Sequence, residues 1–416
     1  MALIVRQRAA QCPASTPPVR PVMALRRLPR AIGSLALALV LAVAAPSSSG
    51  AATITVDATA DDADLPPNGN CTLREAILAA NQNSAVDGCV AGDPAPTVDL
   101  VVVPPGTYVL SIGPRGDGLG EHGDLDLIDD IEVRGAGADQ TLIDADGIDR
   151  VFDVAGGVVA TIGDLELAGG DAASGDGGGV ENDGDLLLEG VALVGNQSQG
   201  PGAGVRNNGT LFVRASTFSG NSTDDHGGGI DNHGTATLEN STFSGNDGGN
   251  QGGGLYNLSA RSMSVVHCTV VGNTAGSGDA LHNAGSLTAA NSLLVGSCSG
   301  SVDVSGGGNL EGPGDTCGLG GSDLVAVADV MLSPLLDNGG PTRTHALQAG
   351  SAAIDFAAPG ECLATDQRGV ARPQDGDGDG SADCDSGAFE ADATGDLVFA
   401  DGYESGDTGA WSSVTG

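Results

Sequence analysis

Charged side chains recur at equivalent positions of a repeated pattern near the middle of the chain. Glu181, Arg206 and Asp231 are spaced by about 25 residues, and each lies between an aliphatic residue and an Asn. His233 follows two residues after Asp231. If the repeats stack in register, these four side chains line one exposed groove. Paired carboxylates perform glycoside hydrolysis, and a lyase would use a base such as Arg beside bound calcium. They are therefore the candidate catalytic residues.

The same pattern also has a structural interpretation. Alternating acids and bases on neighbouring strands stabilise the register of a sheet. A second column, formed by Glu189, Arg214 and Glu239, repeats this alternation without any catalytic character. That repetition favours a charge ladder over an active site.

An acidic loop near the C-terminus is the clearest candidate metal site. Its carboxylates alternate with glycine and other small residues, at Asp375, Asp377, Asp379, Asp383 and Asp385. Calcium prefers six to eight oxygen ligands in such a loop. The loop is not an EF-hand, because its twelfth position is Ser386 and not Glu. The sequence predicts calcium here, and a solvated acidic loop is the alternative.

The elements that position these residues follow from an internal repeat. Its aliphatic–x–Asn triplets are about 25 residues apart, with Asn at Asn182, Asn207, Asn232, Asn257 and Asn283. Within each unit apolar residues alternate and glycine turns follow, which indicates short strands with one buried face. Stacked units of this kind form a single-stranded parallel β-helix. The five asparagines then form an internal ladder that satisfies buried amides.

One helix and three disulfides are expected around this solenoid. Residues 72–81 have a capping box from Thr72 to Glu75 and one apolar face, which predicts an N-terminal capping helix. In an oxidising compartment the sequence-local cysteine pairs are Cys71–Cys89, Cys298–Cys317 and Cys362–Cys384. Cys268 falls on an inward column of small residues, so we expect a buried free thiol.

The first residues and the composition predict export. A basic segment beginning at Met23 precedes a short apolar run and small residues, as in a secretory signal peptide, and either Met1 or Met23 is the start. No later apolar run is long enough to span a membrane. The formal net charge of −38 excludes nucleic acid as a partner and favours divalent cations. We expect a secreted or cell-surface protein.

Three segments resemble a known family. Cys71–Ala76 (CTLREA) resembles the CSLREA motif of exported bacterial proteins, with Thr72 in place of the usual Ser. The segments Leu336–Leu347 and Cys384–Glu390 resemble the choice-of-anchor Q domain, with Ser386 where an aliphatic residue is commoner. The resemblance implies an exported, all-β, right-handed parallel β-helix of bacterial origin, with no established activity.

The resulting expectation is a rigid surface scaffold for adhesion or glycan contact, with a polysaccharide lyase or glycoside hydrolase as the alternative. The partner would be an extracellular glycan or a cell-surface component, and calcium is the only cofactor expected. Arg343, His345, Asp366 and Arg368 are expected to form a network at the end of the solenoid. The predicted parts are a leader (1–52), an N-terminal cap (53–96), the β-helix (97–335), an anchor-Q-like block (336–392) and a tail (393–416).

Overall fold

The computed structural model describes residues 51–62, 67–115, 118–173 and 175–392. The predicted signal peptide, apart from residues 51 and 52, and the predicted tail at 393–416 lie outside these residues.

Short strands stack into three parallel sheets, and the chain visits sheet 1, sheet 2 and sheet 3 in that order on every turn. Sheet 1 has ten strands: Thr53–Thr55, Asp99–Val102, Ile131–Arg134, Val159–Gly163, Asp185–Glu189, Thr210–Arg214, Thr235–Glu239, Ser262–Val266, Ser286–Ala290 and Val304–Gly307. Sheet 2 has nine: Gly106–Val109, Thr141–Asp144, Glu166–Ala168, Ala192–Val194, Thr217–Ser219, Thr242–Ser244, Thr269–Val271, Leu293–Val295 and Leu310–Gly312. Sheet 3 has eight: Leu125–Leu127, Phe152–Val154, Val180–Asn182, Val205–Asn207, Ile230–Asn232, Leu255–Asn257, Leu281–Asn283 and Cys298–Ser299. The predicted parallel β-helix is therefore confirmed.

Two smaller strand pairs accompany the three sheets. Gln197–Ser198 pairs in parallel with Ser222–Thr223 at the corner between sheets 2 and 3. Leu332–Leu336 pairs antiparallel with Thr344–Leu347 beyond the solenoid.

The core is a narrow stack of aliphatic columns. In sheet 1 every second residue is buried, so Leu186 and Leu188 point inward and lie over Leu211 and Val213 of the next turn. Sheet 2 adds an aromatic step, because the rings of Phe218 and Phe243 stack with centroids 4.8 Å apart. Each turn buries its apolar face only against its neighbours, as in other solenoids.

The N-terminal end of the stack is covered by the helix that the sequence predicts. The helix spans Leu73–Gln82, and Thr72 and Glu75 form a reciprocal capping box. The apolar side chains of the helix belong to the main core. The helix packs against the first two strands of sheet 1 and the first strand of sheet 3. A short 3₁₀ helix, Pro359–Glu361, lies near the other end of the described chain.

The parallel stacking begins before the predicted start of the β-helix at residue 97. Thr53–Thr55 already pairs in parallel with Asp99–Val102, so part of the predicted cap is a strand of the solenoid. At the other end the last parallel strand ends at Gly312, a parallel bridge joins Leu310 to Leu324, and the next strand pair is antiparallel. The repeat triplets cannot reveal either end, because neither terminal strand carries the Asn.

The five repeat asparagines lie in one internal column. Each side-chain amide donates to the side-chain oxygen of the next, over 2.7 to 2.9 Å, from Asn182 through to Asn283. All five are buried. A second ladder that the sequence reasoning missed joins Asn196, Asn221, Asn246 and Asn273 in the same way. Its signal was the Gly-Asn pair that recurs with the same period.

We expect Asn232→Ala to lower the free energy of unfolding by about 3–4 kcal/mol. The change removes the donor to Asn257 Oδ1 and the acceptor of the Gly234 N–H, and these groups stay in a dry interior. Urea denaturation measures the loss. Asn250→Ala, at an exposed position, is the control and should change stability by about 0.5 kcal/mol or less. Equal losses in the two variants would contradict a stabilising ladder.

All three predicted disulfides are present, joining Cys71 to Cys89, Cys298 to Cys317 and Cys362 to Cys384. Cys268 is a buried free cysteine, and burial raises the pKa of its thiol to about 12. The thiol is therefore not a nucleophile at neutral pH. None of the described helices is long and apolar enough to cross a membrane.

The C-terminal segment, residues 336–392, lies along the side of the β-helix. Gln367 bonds to Thr217 and Thr242 on two successive turns. Farther along, Ala388 donates to Thr269, and Ser386 donates to the carbonyl of Gly308. The network expected at the end of the solenoid, formed by Arg343, His345, Asp366 and Arg368, therefore belongs to a segment on its flank.

The polar residues of this segment have partners on the flank. Arg368 pairs with Asp366 at 2.8 Å and lies over the ring of Phe389. His345 bonds the carbonyl oxygen of Ser333 through Nδ1 and the hydroxyl of Ser244 through Nε2. Thr217 donates to the carbonyl of Arg343. Contacts between residues more than a hundred positions apart have no period, which is why the sequence did not show where the segment packs.

Candidate functional site

The candidate catalytic column is in register, as the repeat requires. Glu181 lies beside Arg206, Arg206 beside Asp231, Asp231 beside Tyr256, and Tyr256 beside His282 on adjacent strands of sheet 3. His233 follows its strand and points to the same side. The sheet thus brings the predicted residues into one outward row.

The row is not an exposed groove, which corrects that expectation. Asp231 is fully buried and Arg206 is 9% exposed. The segment before each strand of sheet 3 folds over the row, and a Cβ on Gly227 would lie 2.7 Å from Asp231 Cβ. Only glycine leaves room for this close approach. The glycine runs were visible in the sequence, but their position over the column was not.

Arg206 is the centre of the charged part of the row. Its Nη1 donates to Asp231 Oδ2, and its Nη2 donates to His233 Nδ1 over 3.0 Å. The same guanidinium donates through Nε to Asn208 and lies 3.8 Å from Asp176. Since Arg can only donate, His233 Nδ1 is an acceptor and the imidazole is neutral in this arrangement. Its Nε2 lies 3.3 Å from Asp231 Oδ1.

Glu181 belongs to a different ion pair. Arg150 Nη1 lies 2.7 Å from Glu181 Oε2 and 2.5 Å from Asp153 Oδ2. Burial raises the pKa of Glu181, and the Arg150 guanidinium opposes that shift. Glu181 and Asp231 are separated by the turn that carries Arg206, so the structure does not bring them together as a carboxylate pair.

Aromatic rings continue the row beyond Asp231. Tyr256 stacks between His226 and His282, with centroids 4.8 and 5.0 Å apart. Burial raises the pKa of Tyr256, and the nearby carboxylates of Asp231 and Asp225 add to the shift. Burial also lowers the pKa of His282.

The second outward column behaves as a charge ladder. Glu189, Arg214 and Glu239 are in register on sheet 1, and Arg214 bonds Glu189. The two columns therefore share one chemistry, in which each base lies between acids of neighbouring turns.

The acidic loop has a different set of neighbours from the predicted one. Oxygens of Asp375, Asp377 and Asp355 lie within 4.8 Å of one another, and Asp355 is outside the predicted loop. Asp385 is fully buried and accepts backbone N–H groups of Asp355 and Ala391. Burial and the nearby Glu390 raise the pKa of Asp385 to about 7. Asp379 and Asp383 accept hydrogen bonds from Ser381 within the loop. Calcium at this loop stays a prediction, and Asp355 is the added candidate ligand.

A shallow groove at the corner between sheets 3 and 1 was missed by the sequence reasoning. It has a volume of about 660 Å³ and crosses four successive turns. Its lining consists of small or polar residues: Asn208, Gly209, Gly234, Thr235, Ala260, Arg261, Ser262, Ala284, Gly285 and Ser286. The corner is low because its glycines pack backbone on backbone, and a Cβ on Gly234 would lie 1.9 Å from Gly209 O.

The groove offers hydrogen-bonding groups to a ligand. Thr235, Ser262 and Ser286 are exposed and occupy one register column on successive turns. Arg261 is also exposed and is the charged residue of the lining. Equivalent hydroxyls thus repeat at the strand spacing of about 4.8 Å.

Comparison with known proteins supports the solenoid. Residues 154–312, which include both the charged row and the groove, match the family model described as right handed beta helix region. No curated protein matches the chain, and no solved structure does. The described chain is thus an all-β protein built on a right-handed parallel β-helix.

Proposed function

We propose that the protein is an exported, non-catalytic β-helix scaffold that holds an extended neutral glycan in the groove at the corner between sheets 3 and 1. The observation that carries this proposal is the row of exposed hydroxyls of Thr235, Ser262 and Ser286 on three successive turns. A linear polysaccharide presents hydroxyls at regular intervals, with a repeat close to the strand spacing. A rigid groove can therefore bind successive sugar units in equivalent ways.

The charge of the protein narrows the class of glycan. With a net charge of −38, the surface repels polyanions, and Arg261 alone does not reverse that. The lining has no aromatic ring on which a sugar could stack. Each contact is therefore weak, and useful retention on a surface requires many copies or a long chain.

Export and surface location support this role. The predicted signal peptide and the resemblance to CSLREA and choice-of-anchor Q proteins of bacteria favour it. Three disulfides are compatible with an oxidising compartment. A cell-surface location for the scaffold is part of the proposal.

A polysaccharide lyase or glycoside hydrolase is the second candidate, because the buried Asp231 lies beside Arg206, which is also buried, and beside the partly exposed His233. Buried carboxylates orient catalytic imidazoles in known enzymes. Here Arg206 donates to His233 Nδ1, so Nε2 of the neutral ring carries the hydrogen and no free lone pair is left to take a proton. This occupancy favours the scaffold.

We expect the protein to bind a neutral polysaccharide on a glycan array. The variant Ser262→Trp should weaken that binding at least about tenfold, because the indole fills the groove. Thr107→Trp, at an exposed position of sheet 2, is the matched control and should bind like the wild type. Equal binding by both variants would show that the groove is not the contact surface.

The enzyme alternative is tested in parallel on neutral and uronate-rich polysaccharides. The scaffold predicts no new reducing ends and no unsaturated products. Activity that disappears in Asp231→Asn/His233→Ala would overturn the scaffold and place catalysis on the charged row.

A further inference from the structure

A second acidic cluster lies at the N-terminal end of the charged row, on the first two strands of sheet 3. Asp126 and Asp153 are register partners, and Asp124 directly precedes the first strand. One carboxylate oxygen of each lies within 4.8 Å of the others. Asp124 is 3% and Asp126 is 5% exposed, whereas Asp153 is half-buried. Three carboxylates from two turns thus converge beneath the protein surface.

Asp124 lacks the hydrogen bonds that a buried carboxylate needs. Its Oδ1 is buried and accepts no hydrogen bond. Its Oδ2 lies 3.5 Å from Arg150 Nε, which is too long for a good hydrogen bond. Arg150 instead directs Nη1 to Asp153 and Glu181. An ionised carboxylate left in this state costs several kcal/mol unless another positive charge approaches it.

The charges around the cluster do not balance. Asp149 is buried beside Asp124 and adds to its unfavourable environment. Arg150 is the guanidinium that faces these acids, and it is shared with Glu181. The neighbouring Arg74 of the helix is bound to Asp61 and to backbone carbonyls. Among the charges that act most strongly on Asp124, the acids are Asp149, Asp126 and Asp153 and the base is Arg150.

We propose that Asp124, Asp126 and Asp153 bind one hard divalent cation such as Ca²⁺ at the N-terminal end of the β-helix. The donor set consists of oxygens alone, which suits Ca²⁺ or Mg²⁺ and not zinc or copper. The site is separate from the proposed glycan groove and from the acidic loop near the C-terminus.

The cation has a structural role, because the capping helix is attached to the same strand. Arg74 donates to the carbonyl oxygens of Gly123 and Asp124, and Asn81 donates to that of Asp126. Asn81 also accepts the N–H of Ile128. A cation that fixes Asp124 and Asp126 fixes the strand edge on which the cap rests, and it thereby joins the cap to the first two turns.

Calorimetric titration of the metal-free protein with CaCl₂ tests the site. Asp375→Asn/Asp377→Asn removes the C-terminal loop as a second calcium site, and this variant is expected to retain one calcium site. Asp124→Asn/Asp153→Asn is expected to lose that site, with at least a tenfold weaker affinity. Asp185→Asn, an exposed acid of sheet 1, is the matched control.

Melting in EDTA separates loss of the site from loss of the fold. The single variant Asp124→Asn removes a carboxylate that lacks partners, so without calcium it should melt no lower than the wild type. The calcium-dependent rise in melting temperature should disappear in it and persist in Asp185→Asn. The proposal is overturned if Asp124→Asn/Asp153→Asn binds Ca²⁺ like the wild type, or if Asp375→Asn/Asp377→Asn no longer responds to calcium.

Discussion

Replacing Arg372 by Met is expected to lower the free energy of unfolding by about 3–5 kcal/mol. Its guanidinium donates to Glu390 Oε2 over 2.8 Å and to the carbonyl oxygens of Asp385 and Gly387. The side chains of Arg372 and Glu390 are both fully buried. Without Arg372, Glu390 remains as a buried charge whose other partners are the N–H groups of Gln374 and Asp385.

Urea denaturation followed by circular dichroism measures this loss. The double variant Arg372→Met/Glu390→Leu should recover much of it, because both charges are then absent. Arg214→Met breaks an ion pair of which the Arg side chain is 48% exposed, and it should cost about 1 kcal/mol or less. A similar loss in Arg372→Met and Arg214→Met would mean that the buried network does not hold the C-terminal segment.

The second large effect concerns pH, and we expect the calcium-free protein to be about 2 kcal/mol more stable at pH 6.5 than at pH 8. Burial raises the pKa of Asp124 to about 8 and that of Asp385 to about 7. These carboxyls keep their protons in the folded state at pH values where the unfolded chain has lost them.

The sign follows from proton counts. Unfolded carboxyls titrate near pH 4, so between about pH 4 and pH 8 the folded state binds more protons. This contribution is complete below about pH 4 and is lost as the pH rises through the folded pKa values. His267 acts in the opposite sense, because burial and Arg372 lower its pKa to about 3. Its contribution is present above about pH 6.5 and is lost as the pH falls, so below pH 6.5 it offsets part of the gain from the carboxyls.

Urea midpoints at pH 8, 7 and 6.5 in EDTA test this dependence. Asp124→Asn should flatten the profile, since it removes the group with the highest carboxyl pKa. Asp185→Asn, at an exposed position, should leave the profile unchanged. Stability that increases from pH 6.5 to pH 8 would contradict the raised pKa values.

The features that repeat were predictable from the sequence. The spacing of Asn182, Asn207 and Asn232 determines the length of a turn, and a parallel sheet then has only one register that stacks like on like. The capping box at Thr72 and Glu75 is local in sequence and formed as expected. The disulfide between Cys71 and Cys89 was also predictable, because the two cysteines are neighbours in the sequence.

The features that do not repeat were not predictable. Asp231 and Arg206 are in the expected column, but their burial depends on the path of the preceding segment, which alternation does not report. Asp355 approaches Asp375 and Asp377 from twenty residues away or more. The groove consists of positions where side chains are small or absent, and such residues give no distinctive pattern in the sequence.

The attachment of the C-terminal segment to the flank has a consequence for the order of assembly. A plain solenoid can add or lose turns at its ends, since each turn contacts only its neighbours. Here Thr342 donates to the carbonyl of Ala215, and Ser386 donates to that of Gly308, so one late segment connects several turns. Those turns reach their final stability only after residues 336–392 have folded against them. These turns then open together in one cooperative step, and the solenoid does not fray from either end.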